Sequence, residues 1–413
     1  MDIKRISCLG LSLPLAFGLA FAGSGQRLTS SALTSPASLD QLIAPATRES
    51  AGANPTDQSN VKHNFLKITY SLAKSKYSYD GKAGLISGKV SGTTDNPIAD
   101  FIYAHRLSRD MVVGLSYSSP YNFDVKYSAA DVKQHFPGVV QFPTRRKLDV
   151  KDISPTVSYR VNDKWVVGGA IDYTDGTLLL GNYYTPPLEN ALIDLQANGL
   201  GYHLGVKYHD ESSDIFYGTV FEAAYFSKVK YDLEGDVTAL GTITPGVKST
   251  LTQPYAVKFD IIQVLPSRKD VLVAMINYTH WSSVPEFKVT GLPAPLPSST
   301  AEKLGYKNEW TYTAAYQRVL TGDVFSPKWT ATAGLVYDKS PADQALKSPT
   351  STEPKDYWLG LLSTQYHFGA WAITAGVYHA FLKDSTINNT TSDYSGTVKA
   401  DANGGSLGVS YTF

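Results

Sequence analysis

Residues 404–413 read GGSLGVSYTF. Leu407, Val409, Tyr411 and Phe413 alternate with Ser406, Gly408, Ser410 and Thr412, so large apolar side chains fall on one face of a strand and small polar ones on the other. The segment closes on an aromatic residue at its last outward position. A soluble sandwich shows this alternation too. A barrel in a bacterial outer membrane also produces it, because its outer face meets lipid and its inner face a polar lumen. The fold therefore turns on how often the pattern recurs.

It recurs from Asn64 onward. Fourteen candidate strands can be drawn, at about 64–79, 97–107, 111–127, 146–161, 164–180, 199–210, 215–234, 248–265, 270–291, 308–320, 327–338, 355–368, 370–387 and 403–413. The dyad is clean where Trp329, Ala331, Ala333, Leu335 and Tyr337 oppose Thr330, Thr332, Gly334 and Asp338. It is poorer around 270–281, where Val and Met occupy both faces. The connections alternate in length. Short ones fall at 108–110, 162–163, 211–214, 266–269, 321–326 and 369, and long ones rich in Pro, Gly and Ser at 80–96, 128–145, 181–198, 235–247, 292–307, 339–354 and 388–402. A sandwich has no reason to alternate in this way. A membrane barrel does, with short periplasmic turns and long external loops, and an even strand number puts both barrel ends on the periplasmic side. The expected fold is all-β: a transmembrane antiparallel β-barrel of about 14 strands.

Composition agrees with this class. The 413 residues include 27 Tyr, 6 Trp, 33 Gly and only 3 Met, the bias that aromatic girdles and Gly-rich strands create. Lys+Arg and Asp+Glu balance at 37 each, which argues against nucleic acid as a partner. The N-terminus reads as a secretory signal over 1–22: Lys4 and Arg5 precede a largely apolar run, and Ala20-Phe21-Ala22 gives an A-x-A cleavage site. A membrane anchor would need a longer run, about 20 residues. The single cysteine, Cys8, lies inside the signal, so the exported chain is expected to carry no disulfide. Residues 23–62 are rich in Ser, Thr, Ala, Pro and Gly without strand period. They are either a disordered leader or a segment packed inside the barrel that begins at 63.

With these segments laid out, the chain resembles the FadL family of long-chain fatty acid and hydrophobic compound transporters. Four stretches carry the likeness. Tyr278-Thr279-His280-Trp281-Ser282-Ser283 is similar to the family's Y-T-x-W-S strand, and Ala333-Gly334-Leu335-Val336-Tyr337-Asp338-Lys339-Ser340-Pro341 to its x-G-x-x-[FY]-D-x-S-P. Asp356-Tyr357-Trp358-Leu359 resembles the opening of the strand that follows, and Ser158-Tyr159-Arg160-Val161-Asn162-Asp163-Lys164-Trp165 a strand–turn–strand of the family. The resemblance implies an N-terminal hatch, over 23–62, plugging a fourteen-stranded barrel. It also implies a hatch signature at Asn54-Pro55-Thr56, where the family has Asn-Pro-Ala. The family's aromatic residue near the mature N-terminus is absent here.

Several residues could carry the work. Asp338 has inward parity; it either caps the turn before Ser340-Pro341 or serves as a polar ligand-binding residue, as the matching family position implies. The family's basic residue after the strand beginning at Trp165 falls near Asn182, so a fatty acid carboxylate lacks that partner. Residues 186–195 read as a short external helix opened by proline, with Leu188, Leu192 and Leu195 on one stripe. That stripe either packs on the barrel rim or, by the resemblance, lines the groove that first captures ligand. Pro120 must interrupt ladder pairing in the third strand. It marks either the strand's outer end or, as the family implies, an inward kink that opens the wall sideways.

No catalytic set and no metal-ligand spacing emerges among the eight histidines, and no cofactor is implied. Strand parity alone leaves a Ser, His and Asp cluster at one level open. The function read from the sequence is passive uptake of long-chain fatty acids or similar hydrophobic molecules by a monomer in the bacterial outer membrane, in contact with membrane lipid and lipopolysaccharide. An aqueous porin and a structural or adhesive barrel are the alternatives.

Overall fold

The computed structural model describes residues 36–38, 64–186, 188–209, 218–324, 326–351 and 356–413. The signal segment, Asn54-Pro55-Thr56 and all of the 23–62 stretch except Pro36–Ser38 lie outside them. From the N-terminal side the strands are β1 (Asn64–Ala83), β2 (Ile86–Arg106), β3 (Met111–Lys126), β4 (Gln141–Arg160), β5 (Trp165–Tyr184), β6 (Asn190–His209), β7 (Thr219–Phe226), β8 (Val229–Ala239), β9 (Thr242–Gln253) and β10 (Ala256–Val264). There follow β11 (Asp270–Thr279), β12 (Glu286–Thr290), β13 (Ser299–Lys303), β14 (Glu309–Asp323), β15 (Ser326–Lys339), β16 (Asp356–Phe368), β17 (Trp371–Leu382), β18 (Ser385–Asn389) and β19 (Tyr394–Thr412). One helix, α1 (Ala129–His135), lies between β3 and β4.

Several strands are pieces of one crossing of the barrel: β7 with β8, β9 with β10, β11 with β12, β13 with β14, and β17 with β18. The chain thus makes fourteen antiparallel passes, and β1 pairs with β19 along its whole length to close the ring. At the seam, Asn64 and Phe413 exchange backbone hydrogen bonds of 2.8 and 3.0 Å. Closure pairs the sheet edges in lipid everywhere except above the short β2–β3 contact.

The outward faces set the membrane position. Tyr202, Tyr225, Tyr255, Tyr278, Trp310, Tyr312, Tyr337 and Trp358 form an unbroken chain of ring contacts, with centroids 4.8–6.4 Å apart, across the strand passes from β6 to β16. A second girdle sits beside the short turns, with Trp165 on Tyr208 and Trp371 on Tyr411. Along β15 and β16 the girdles are eight residues apart, Trp329 to Tyr337 and Trp358 to Tyr366, about 26 Å of strand. That matches a lipid-facing apolar band of about 25 Å once strand tilt is allowed for.

Beyond the upper girdle the strands keep pairing where the sequence suggested loops. The segment 80–96 is a hairpin whose turn is only 84–85, and the segments 235–247 and 388–402 are likewise paired hairpins. These parts stand in water, so their outer face is polar and the apolar alternation that marks a strand in lipid disappears. The described residues of 186–195 form no helix. Residues 190–195 belong to β6, paired with β5 and β8. The period-two set Ala191, Ile193 and Leu195 is buried, and Leu192 points to the opposite face. Leucines at 188, 192 and 195 fit a helical spacing by coincidence with that alternation. The helix of the outer region is α1 instead, with the Ser128 hydroxyl accepting from Asp131 N–H.

Candidate transport site

Where β3 meets β2, ordinary ladder geometry gives out. The two strands pair over six residues, from Phe101 with Tyr117 to Arg106 with Val112, and then separate. At that level the β3–β4 register slips between Ser118 and Tyr121, around Pro120. Below the slip Val112 and Ser116 face inward; above it Tyr121, Phe123 and Val125 do, so the bulge has exchanged the faces of the strand. Upper β3 stays bound to β4, helped by a two-pronged ion pair from Arg145 to Asp124 at 3.1 and 2.8 Å. Its far end leans against the inner side of β1 and β2. The Lys126 N–H donates to the Tyr77 hydroxyl at 2.5 Å, and a Cβ on Gly92 would come within 2.4 Å of the Lys126 carbonyl. Pro120 therefore marks a kink toward the barrel interior, not merely the strand's end. Beside the separation Asn122 donates to the Pro97 carbonyl at 3.2 Å, and among the described residues the buried Asp100 carboxylate has no hydrogen-bond partner.

The kink places Tyr121 edge-on to Trp281 at 6.2 Å. Trp281 belongs to a 3-10 turn, Trp281–Ser283, that interrupts the pass between β11 and β12. Its indole N–H donates to Glu309 at 2.7 Å, and its ring also meets Tyr306 at 5.5 Å. Glu309 is fully buried next to Asp338, which accepts from the Thr311 hydroxyl at 2.9 Å. Asp338 itself is 0% exposed, so it is the far end of a packed chain running Tyr121–Trp281–Glu309–Asp338. Two positions singled out in the sequence, Pro120 through its neighbour Tyr121 and Asp338, are thereby linked. Glu309 and Tyr121 were not singled out from sequence. The inward parity that Glu309 shares with Thr311 and Thr313 was the available signal.

Above this chain the outer mouth holds apolar side chains. Tyr121, Leu195, Leu233, Trp281, Phe287 and Leu296 belong to one buried cluster, with Leu188 packed at its margin. Leu192 is 37% exposed on the outer face and lies apart from it. A second cluster, in which Tyr79 stacks on Phe136 and Tyr127 meets Phe142 edge-on, fills the region under α1. Burial pushes the Tyr127 phenol well above its usual value, keeping it a neutral donor to the Pro349 carbonyl at 2.9 Å. Charged side chains near the mouth have partners: Arg146 binds Glu302 at 3.2 Å, and the Lys347 ammonium donates to Ser385 at 2.8 Å.

The inner wall lower down divides by character. On β11 and β14–β17 it carries Val271, Val273, Val319, Leu361 and Tyr378. On β4–β7 and β10 it carries Ser154, Asp172, His203, Lys207, Glu222 and a Lys258–Asp260 pair at 2.8 Å. Pro36–Ser38, a 3-10 turn, is set against β4, β5 and β6 on this polar side. There the Ser38 hydroxyl donates to Glu222, and Ser158 to the Ala37 carbonyl at 3.5 Å. Serine, aspartate and histidine do meet at one level, but in the wrong order for nucleophilic catalysis. Ser154 donates to Asp172 at 2.7 Å, and His203 Nδ1 lies 2.8 Å from the same oxygen, its ring stacked on Phe226. The carboxylate stands between hydroxyl and imidazole, which is not the Ser–His–Asp order in which the imidazole takes the hydroxyl proton. Among the described residues no group of three His, Cys, Asp or Glu is placed to hold a metal ion.

A closed barrel with two aromatic girdles, an inner wall polar on one side and an apolar mouth defines a bacterial outer-membrane β-barrel. The family description "Outer membrane protein transport protein (OMPP1/FadL/TodX)" matches residues 14–413, and the chain belongs to that family, whose members are outer-membrane channels for hydrophobic compounds. No curated protein matches it in sequence. Solved structures share the fold at low identity. A Pseudomonas aeruginosa FadL homologue superposes with a TM-score of 0.74 at 15% identity, covering 97% of this chain and 98% of its own. The Ralstonia pickettii toluene transporter TbuX gives 0.61 at 16% identity over 96% and 97%. The Pseudomonas putida toluene transporter TodX gives 0.60 at 15% over 96% and 99%.

Proposed function

We propose that this protein takes up long-chain fatty acids or similarly apolar molecules passively, and releases them sideways through its wall. The observation that carries the reading is the kink at Pro120, which separates β2 from β3 directly beside the apolar cluster of the mouth. A hydrophobic molecule gains about 25 cal/mol for each Å² of apolar surface it removes from water, so the mouth favours capture without an energy source. Leu188 and Leu195 contribute to that apolar mouth, whereas Leu192 does not. A side exit then delivers the molecule into lipid, and it never crosses the polar lumen.

The segment 23–62 acts as the hatch in this reading, with Asn54-Pro55-Thr56 as its signature. Support comes from Ala37 and Ser38, buried against the polar inner wall. The absence of a basic residue at Asn182, and the engagement of Arg146 and Lys347 by neighbouring side chains, favour neutral apolar cargo over a free carboxylate. The notable relatives named as toluene transporters are in line with that preference.

The test is uptake by host cells lacking their own outer-membrane transporter, given a labelled long-chain fatty acid and, separately, a labelled monoaromatic hydrocarbon. Uptake of either by the wild type, reduced in Pro120→Ala at equal surface insertion, supports side release. Wild-type uptake unchanged in Pro120→Ala removes the side exit. The polar lumen wall favours a second reading, an aqueous porin, and a steady single-channel ion conductance in the wild type would select it.

A further inference from the structure

One hydrogen-bond row crosses seven strands on the outer face. It runs Ala274–Ala314–Leu335–Gly360–His379–Asn403–Lys74 through consecutive cross-strand partners on β11, β14, β15, β16, β17, β19 and β1. Because strands tilt, such a row climbs the barrel. Ala274 lies four residues inside the upper girdle residue Tyr278, Leu335 two inside Tyr337, and Lys74 beyond the last exposed apolar residue of β1, Leu72. The row therefore starts deep in the outer leaflet and ends at its headgroup layer.

Its lower part is concave. Small residues at 274, 314, 333 and 360, set among the larger Leu272, Leu335, Leu362 and Phe381, leave a groove of about 880 Å³, and His379 stands at its edge. His379 is bonded to Asn403 at 2.5 Å, and Asn403 to Asp401 at 2.8 Å. The upper part is basic. Lys74 and Lys76 face outward two residues apart, roughly 7 Å along the strand. Asp95 and Asp401 are their cross-strand partners, yet among the described residues neither lysine is ion-paired, while neighbouring Lys89 and Lys399 pair with Asp80 and Asp384. The far side of the outer region differs: Lys230 and Lys248 are both paired, with Asp232 and Glu234.

We propose that this row is the seat of one lipopolysaccharide molecule. Its phosphate binds between Lys74 and Lys76, and one of its acyl chains lies in the groove about two strand spacings, ~10 Å, from Lys74 across Asn403 and His379. The face lies in lipid, the groove is apolar, and the two unpaired ammonium groups meet the outer leaflet where phosphate is displayed. Neither the lumen nor the wall break contributes a residue.

The test uses the full protein, folded in detergent free of lipopolysaccharide, titrated with purified lipopolysaccharide and read by native mass spectrometry. One molecule per chain is expected. Lys74→Glu with Lys76→Glu should weaken binding at least thirtyfold, because loss of the two positive charges alone is worth about 1 kcal/mol each. Gly360→Leu should weaken it by filling the groove; a Cβ at Gly360 meets only Phe381 at 3.5 Å, so the barrel can accept the change. Charge reversal at Lys230 should leave binding unchanged. Binding that survives the double reversal overturns the proposal. So does equal binding of dephosphorylated lipopolysaccharide to the wild type, a result that needs no variant, or equal displacement by phosphatidylglycerol.

Discussion

The indole N–H of Trp281 donates to Glu309 at 2.7 Å, inside a barrel wall where neither residue is open to water. A carboxyl group in such a place is costly unless its oxygens are held. The bond also fixes the ring against which Tyr121 packs, so the position of the β3 kink depends on a residue more than 150 positions away in sequence. Trp281→Phe should keep much of the ring packing and lose the donor. The expected cost is about 1–3 kcal/mol, measured by urea unfolding from lipid vesicles. No loss would show that Glu309 is satisfied by other means.

Asp338 and Thr311 make a pair that a substitution can separate from charge. Asp338→Asn retains an acceptor for the Thr311 hydroxyl, whereas Asp338→Ala leaves that hydroxyl and Glu309 facing a void. The alanine variant should be less stable than the asparagine variant by about 1–3 kcal/mol in the same unfolding measurement. Equal stability would argue that Asp338 is held for ligand and not for the wall.

Leu195 and Leu192 separate the observed strand from a helix. Leu195 is fully buried in the mouth cluster and Leu192 faces water above the girdle. Leu195→Ala should cost about 2–5 kcal/mol, and Leu192→Ala less than about 0.5 kcal/mol. Similar costs for both would restore a helical stripe.

Gly92 marks the closest approach of bent β3 to β2. A methyl group there would lie 2.4 Å from the Lys126 carbonyl, and the obstacle is backbone, which cannot swing aside. Gly92→Ala should push β3 further into the barrel interior and alter uptake severalfold in either direction while the barrel stays inserted. Crosslinking between cysteines introduced at Lys126 and Thr94 would report the displacement as a lost link.

Deletion of residues 23–62 tests the hatch. The truncated barrel should show a large steady ion conductance in planar bilayers where the full chain shows little. Equal conductance would mean that this segment does not fill the lumen.

Period two in segments such as 327–338 and 404–413, with the alternation of short and long connections, was enough to specify a barrel of fourteen passes and the side on which its ends lie. This was legible because lipid on one face and a polar interior on the other impose their contrast residue by residue. Pro120 was legible for a related reason, since a residue without an N–H has to break a ladder. What the sequence could not specify was anything set by contacts between distant passes. In water above the girdle both environments are polar on the outside, so the hairpin at 80–96 lost its signature and residues 190–195 fitted two periods at once. Only the folded chain decided that the β3 slip exchanges its faces, that Trp281 joins Pro120's neighbour Tyr121 to Glu309 and Asp338, and that Lys74 shares a row with Gly360. Each depends on register around a closed ring, a global property that no local stretch of sequence contains.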